Sequence, residues 1–263
     1  MHSLHLDRFV QRASPIHQLD PRVKVGAAVL FILSNSLLPD GAWLALLLSW
    51  AALLGGNLLA RLGPLYTLRR SFVALPFVLA AVTIIFTLPG QPVAAFELGP
   101  WRLVASDAGL LRFASIVVRS WLSVQMAILL TATTSFSDLT HALRHLKVPA
   151  LLVAIIGFMY RYLSVLVDEV ERLLRARDSR SAALPGMRSG GTLLWRARTA
   201  GSMAGQLFLR SYERSDRVYN AMLARGFRGE FMSINAHFMQ RRDCQALVMV
   251  LLMLIGVQVV GRA

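Results

Sequence analysis

Residues 42–60 read AWLALLLSWAALLGGNLLA, a run without one charged side chain. A helix rises about 1.5 Å per residue, so about 20 such residues cross a hydrocarbon core roughly 30 Å thick. Comparable runs extend from Val23 to Leu38, Phe72 to Leu88, Leu110 to Thr134 and Ala246 to Val260. The chain is 56% hydrophobic and only 16% charged, a composition that excludes a water-soluble globule of 263 residues. The fold class expected is all-α: an integral membrane protein of about five transmembrane helices with a cytoplasmic domain of long amphipathic helices. No run carries the charged, apolar and small-residue pattern of a cleavable signal peptide. The single cysteine, Cys244, excludes an internal disulfide and a thiolate metal cluster, and reads as a small apolar residue at the start of the last span.

The net charge of +14 is unevenly placed. Arg8, Arg12, Arg22 and Lys24 precede the first span, and Arg61, Arg69 and Arg70 lie between the second and third. The loop at Leu38–Gly41 has no basic residue, and Pro89–Asp107 has only Arg102 beside Glu97 and Asp107. Basic residues collect on the cytoplasmic side, so the N-terminus is expected there. Between Arg172 and Arg242, 14 Arg face four acidic residues, a balance of +10 that the same rule also keeps inside. The apolar run Pro149–Tyr160, about 12 residues before Arg161, then suits a buried or interfacial helix better than a span. The domains expected are a cytoplasmic segment over 1–22, a four-helix membrane region over 23–134, a cytoplasmic domain over 135–243 and a last membrane helix over 244–263.

Within 135–243 the punctuation is legible. Ser137 with Asp138 can cap a short amphipathic helix ending at Leu146, and Pro149 opens a second helix expected to reach Arg177. Residues 181–191, with Pro185, Gly186, Gly190 and Gly191, read as a linker. A third helix runs from Thr192 to Arg225 and stops at Gly226, with Ala197, Gly201, Ala204 and Gly205 as a small-residue stripe for close crossing.

Enzymatic signatures are absent: no phosphate-binding Gly-rich loop and no nucleophile elbow occur. His141 and His145 are four apart on a helix, but with only Asp138 nearby they read as a polar face, and no metal or cofactor is expected. Asp168, Glu169 and Glu171 read as a solvated stretch pairing with Arg172 and Arg175, and Arg210, Arg214 and Arg217 as a face neutralised in part by Glu213 and Asp216. The basic charge suits anionic headgroups and acidic partners rather than nucleic acid. Arg112 and Arg119 are placed at the membrane interface. A stand-alone secondary transporter or channel is the competing reading. It needs polar residues in mid-span, where Asn35, Asn57 and Gln125 are the main candidates.

Two arginines end long helices: Ala176-Arg177-Asp178 and Ala224-Arg225-Gly226. A cation there is favoured by the helix dipole, and a guanidinium without bulky neighbours can grip a carboxylate with two bonds. These tips, with Asp20-Pro21-Arg22-Val23-Lys24, Tyr160-Arg161-Tyr162, Asp168-Glu169 and Glu213-Arg214, make the chain resemble the transmembrane (T) component of energy-coupling factor transporters, most closely the cobalt-uptake branch. The resemblance implies that Ala176, Arg177, Asp178, Ala224, Arg225 and Gly226 dock on two cytoplasmic ATPase subunits. It also implies a separate, cobalt-specific substrate-binding (S) membrane subunit that is tilted by ATP-driven movement of the coupling helices. The chain departs from the family at Asp178, where glycine is usual; an aspartate there either pairs with Arg177 or replaces the helix cap.

Overall fold

In the computed structural model of the protein, which describes residues 9–10, 12–98, 101–181, 192–228 and 239–262, the first helix opens where the sequence offers a cap. The Asp20 side chain accepts the Arg22 N–H at 2.8 Å, and Pro21 occupies the first turn of α1 (Pro21–Ser36), where its missing N–H costs nothing. After α2 (Trp43–Leu59) the expected continuous span over 72–88 is broken. After α3 (Pro64–Arg70), that run is divided into a 3₁₀ turn at Ser71–Ala74, α4 (Leu75–Ala81) and α5 (Ile84–Thr87). Pro76, in the first turn of α4, has no N–H with which to continue the preceding turn. The segments Tyr66–Ala74 and Val78–Thr87 meet at 50°, and together they have the length and apolarity of one broken span.

The expected loop over 89–107 contains an antiparallel hairpin, β1 (Pro92–Leu98) and β2 (Trp101–Ser106), with Leu98 opposite Trp101. Apart from it the elements among the described residues are helices: α6 (Asp107–Thr133), α7 (Phe136–His145), α8 (Ala150–Arg180), α9 (Leu193–Ala224) and α10 (Arg241–Arg262). Ser135, rather than Ser137, caps α7 by accepting the Asp138 N–H at 3.2 Å. The expected linker falls outside the described residues except for Ser181.

Among the described residues three helices are long and apolar enough to cross a membrane: α6, α8 and α10. Helix α2 is apolar but has 17 residues. The apolar length of α8 exceeds the 12 residues read from sequence because the helix passes Arg161 unbroken, and no further charge occurs before Asp168. The chain divides into two compact units, one built from Asp7–Leu146 and Asn235–Ala263, the other from Lys147–Ile234.

The first unit is packed as a membrane protein packs. Helices α1, α2, α6 and α10 share a core containing Phe31, Leu46, Leu53, Leu122, Leu129 and Leu254. On α2 the buried face includes Ser49 and Asn57, whereas Leu44, Leu47, Leu58 and Leu59 point outward. That inversion of the soluble pattern follows when the solvent is as apolar as leucine and polar groups must find partners inside. Asn57 Nδ2 donates to Thr67 Oγ1 at 2.9 Å, and Asn35 Nδ2 donates to the Arg119 carbonyl at 3.1 Å.

Helix α6 begins under tight restraint. Buried Ser106 caps it by accepting the Gly109 N–H at 3.0 Å, and Gly109 lies against the backbone of α5. A Cβ at residue 109 would sit 2.7 Å from both the Ile85 carbonyl oxygen and Ser106 Oγ. Gly109→Ala is therefore expected to push α5 off α6 and cost about 1–3 kcal/mol, read as a lowered melting temperature of the detergent-solubilised protein. An unchanged melt would mean that α5 yields freely.

Candidate functional site

The tip of α9 is closed by its last backbone bonds. Arg225 is the C-cap, Gly226 follows at φ +79°, the Gly226 N–H donates to the Leu223 carbonyl at 2.9 Å and the Phe227 N–H donates to the Met222 carbonyl at 3.0 Å. This is the Schellman arrangement, and the left-handed residue in it favours glycine because a Cβ would collide with its own backbone. Ala224, Arg225 and Gly226 are all exposed, and among the described residues no carboxylate is paired with Arg225. The guanidinium is presented at the negative end of a 32-residue helix between two residues with no bulk.

The tip of α8 is built differently. The helix continues past Arg177 to Arg180 and is capped by Ser181, whose hydroxyl donates to the Arg177 carbonyl at 2.9 Å. Arg177 thus lies in the last turn rather than at the end. Its Nε and Nη2 donate to Asp178 Oδ1 at 3.0 and 2.7 Å. Of the two roles open to Asp178, the structure has it pairing with Arg177, while Ser181 closes the helix. The side chains are 39% and 64% exposed, so the pair is a surface one, worth at most about 1 kcal/mol.

The two tips are not brought together. Helices α8 and α9 meet where Glu169 binds Arg210, with Val165 and Leu166 facing Leu207 and Ser211. On one side of that point α8 residues from Ile155 to Leu166 face α9 residues from Ser211 to Met222, so the helices run in opposite senses. Arg177 is about 12 Å beyond the meeting point along α8 and Arg225 about 22 Å beyond it along α9, in opposite directions. The small-residue stripe does not serve this crossing: Gly201 and Gly205 have open space where a Cβ would stand.

Sequence reasoning missed the clamp itself. Glu169 takes Arg172 at 2.6 Å as expected within the helix, but also Arg210, 41 positions away, while the expected pairing of Arg210 with Glu213 is not observed. No spacing rule announces such a long-range pair. The Arg210 hydrogen bond, opposed by partial desolvation and aided by Arg172, lowers the Glu169 pKa. The stabilisation it gives is complete above the ordinary carboxylate value of 4.5 and is lost as pH falls through the lowered value. Glu171 pairs with Arg175 at 3.3 Å, as the sequence predicts.

Most of the other polar residues singled out by sequence have structural partners, although the buried Gln125 Nε2 has none among the described residues. The rings of His141 and His145 meet edge to face at 4.8 Å, and His145 Nε2 accepts from Arg22 at 2.6 Å. Among the described residues no cluster of three His, Cys, Asp or Glu is placed to hold a metal. Arg119 and Arg112 share Asp40, at 2.9 and 3.8 Å, in the short α1–α2 connection, consistent with an interfacial level for both. Gln125 is fully buried in the core. Cys244 is exposed rather than packed.

A family model described as CbiQ, cobalt transport protein, matches residues 12–234, most of this chain. The chain belongs to that family. It is a transmembrane component of the energy-coupling factor class, as its curated relatives also indicate. The energy-coupling factor transporter transmembrane protein EcfT of Bacillus selenitireducens is 29% identical over 238 residues, 86% of this chain and 85% of that one. The protein of the same name from Heliobacterium modesticaldum is 29% identical over 234 residues, 85% and 84% of the two chains. An uncharacterized protein of Methanocaldococcus jannaschii is 25% identical over 245 residues, 92% and 81% of the two. The family model runs from α1 through α9, so the CbiQ-family likeness includes both arginine tips and stops short of α10.

Proposed function

We propose that this CbiQ-family chain is the non-catalytic coupling subunit of an ATP-driven importer of cobalt ions. Two cytoplasmic ATPase subunits receive Arg177 and Arg225, and their closure on ATP is passed through α8 and α9 to a separate substrate-binding membrane subunit. The observation that carries this reading is Arg225: exposed, unpaired among the described residues and held at a rigidly closed helix end. Such a group is pre-organised for a carboxylate on another protein and has no evident task within its own chain. The antiparallel crossing supports engagement of two separate subunits, because the tips diverge from the Glu169–Arg210 clamp. Cobalt rests on the family description alone. The competing channel reading loses support from Asn35 and Asn57, whose Nδ2 groups donate within the core; Gln125 is the candidate whose Nε2 has no partner there.

In this reading the protein resides in the plasma membrane with five crossings, and residues 1–22 and 135–243 are cytoplasmic, as the +10 segment requires. A cysteine placed at Gly186 in a Cys244→Ser background is expected to react with an impermeant maleimide only in inverted vesicles. Reaction on intact cells would place α8 across the membrane and overturn the five-crossing topology. The coupling role is tested by gentle purification of the chain from its native membrane. Recovery of an ATPase and a second small membrane protein is expected, whereas a homo-oligomer alone would refute the proposal.

A further inference from the structure

Beside the Glu169–Arg210 clamp, α8 and α9 enclose an open groove of about 430 Å³ whose walls are almost wholly apolar. Ile155, Phe158 and Leu166 line it from α8, and Val218, Tyr219 and Met222 from α9. From Ile155 to Leu166 it extends about 16 Å along the helix. A single extended chain of atoms fits along that length.

One end differs from the rest. Arg214 borders the groove and also a polar cleft of about 260 Å³ that it shares with Glu169, Arg210, Glu213 and Arg217. Glu169 engages Arg210, whereas Arg214 and Arg217 are paired with no carboxylate among the described residues, Glu213 included. The cleft thus holds three guanidiniums against two carboxylates. An apolar slot with surplus cations at a single end is complementary to an amphiphile with one greasy chain and a negatively charged head.

We propose that this groove binds an acyl chain of an anionic glycerophospholipid, with the phosphate on Arg214 and Arg217. The guanidinium fork suits two phosphate oxygens, and the chain covers Phe158 and Met222, which otherwise face solvent. The site is separate from the Arg177 and Arg225 tips and stands whether or not those tips meet ATPases.

The test uses the full chain in phosphatidylcholine vesicles containing phosphatidylglycerol, with a diazirine on the acyl chain of one lipid or the other. Peptides spanning 155–166 and 211–222 are expected to be labelled about 10-fold more by the phosphatidylglycerol probe. The double variant Arg214→Gln, Arg217→Gln is expected to reduce this to the phosphatidylcholine level with helix content unchanged. Val218→Trp, which fills the groove, is expected to remove labelling there while labelling of α10 persists. Equal labelling by the two probes would reveal an unselective apolar contact, and no labelling of these peptides would leave the groove to a protein partner; either result overturns the proposal.

Discussion

Arg225→Glu is expected to release the ATPase subunits from the chain while leaving its insertion in the membrane unchanged. The substitution removes the planar donor fork, which no other side chain reproduces, and places a negative charge at the negative end of α9. A partner carboxylate that had met a guanidinium then meets another carboxylate. Loss of a partner from such a pair costs about 2–5 kcal/mol, so affinity should fall at least about 30-fold, enough to empty a pull-down. The readout is ATPase recovered with the tagged chain, alongside chain recovered in the membrane fraction. Arg225→Lys separates charge from geometry, since it keeps the first and loses the second. Retained ATPase binding and transport in Arg225→Glu would sink the coupling role assigned to this tip. Asp178→Ala should act in the opposite direction and weakly, strengthening the other contact by no more than about 5-fold, because the Arg177–Asp178 pair it dissolves is exposed.

Lys24→Met is expected to cost the membrane unit about 3–5 kcal/mol, the scale for stripping one member from a buried ionic cluster. Lys24 is 8% exposed, and its Nζ donates to the His17 and Thr133 carbonyls at 2.9 and 3.1 Å. Thr133 is the last residue of α6, so the ammonium closes the negative end of that helix. Asp20 and Asp243 are buried nearby. One Asp243 oxygen accepts the Asp20 N–H at 3.0 Å and the other the Gln240 N–H at 2.8 Å, at the start of α10. Without the ammonium these carboxylates keep, among the described residues, only the half-buried Arg22, 3.8 Å from Asp20, as a nearby positive charge. Thermal unfolding in detergent would report the loss, and Lys24→Arg should recover only part of it, because its larger head must fit between two fixed carbonyls. An unchanged melting temperature for Lys24→Met would show that the cluster carries no stability.

This cluster marks a limit of what the sequence discloses. Lys24 reads there as one more cytoplasmic basic residue, and only the approach of α1, α6 and α10 turns it into a staple. Likewise the run 72–88 looks like a span by composition, yet Pro76 and the packing of the short helices divide it. Residues 89–107 read only as a loop scored for its charge, which concealed the hairpin within them. The helix ends were far more legible. Thr192 capping α9, Pro149 before α8 and Gly226 past Arg225 stand where local backbone chemistry puts them.

What the sequence determined by itself is therefore whatever depends on neighbours along the chain: apolar length, charge asymmetry, caps and the two arginine tips. These follow from hydration and from backbone geometry within a few residues. What only the tertiary structure decided is which charges meet across distance. Glu169 took Arg210 as well as the nearby Arg172, Asp40 gathered Arg112 and Arg119, and Arg214 with Arg217 was left lining a polar cleft. Ion pairing depends on separation in space, and helices that cross at one point bring together residues whose spacing in sequence carries no trace of the encounter.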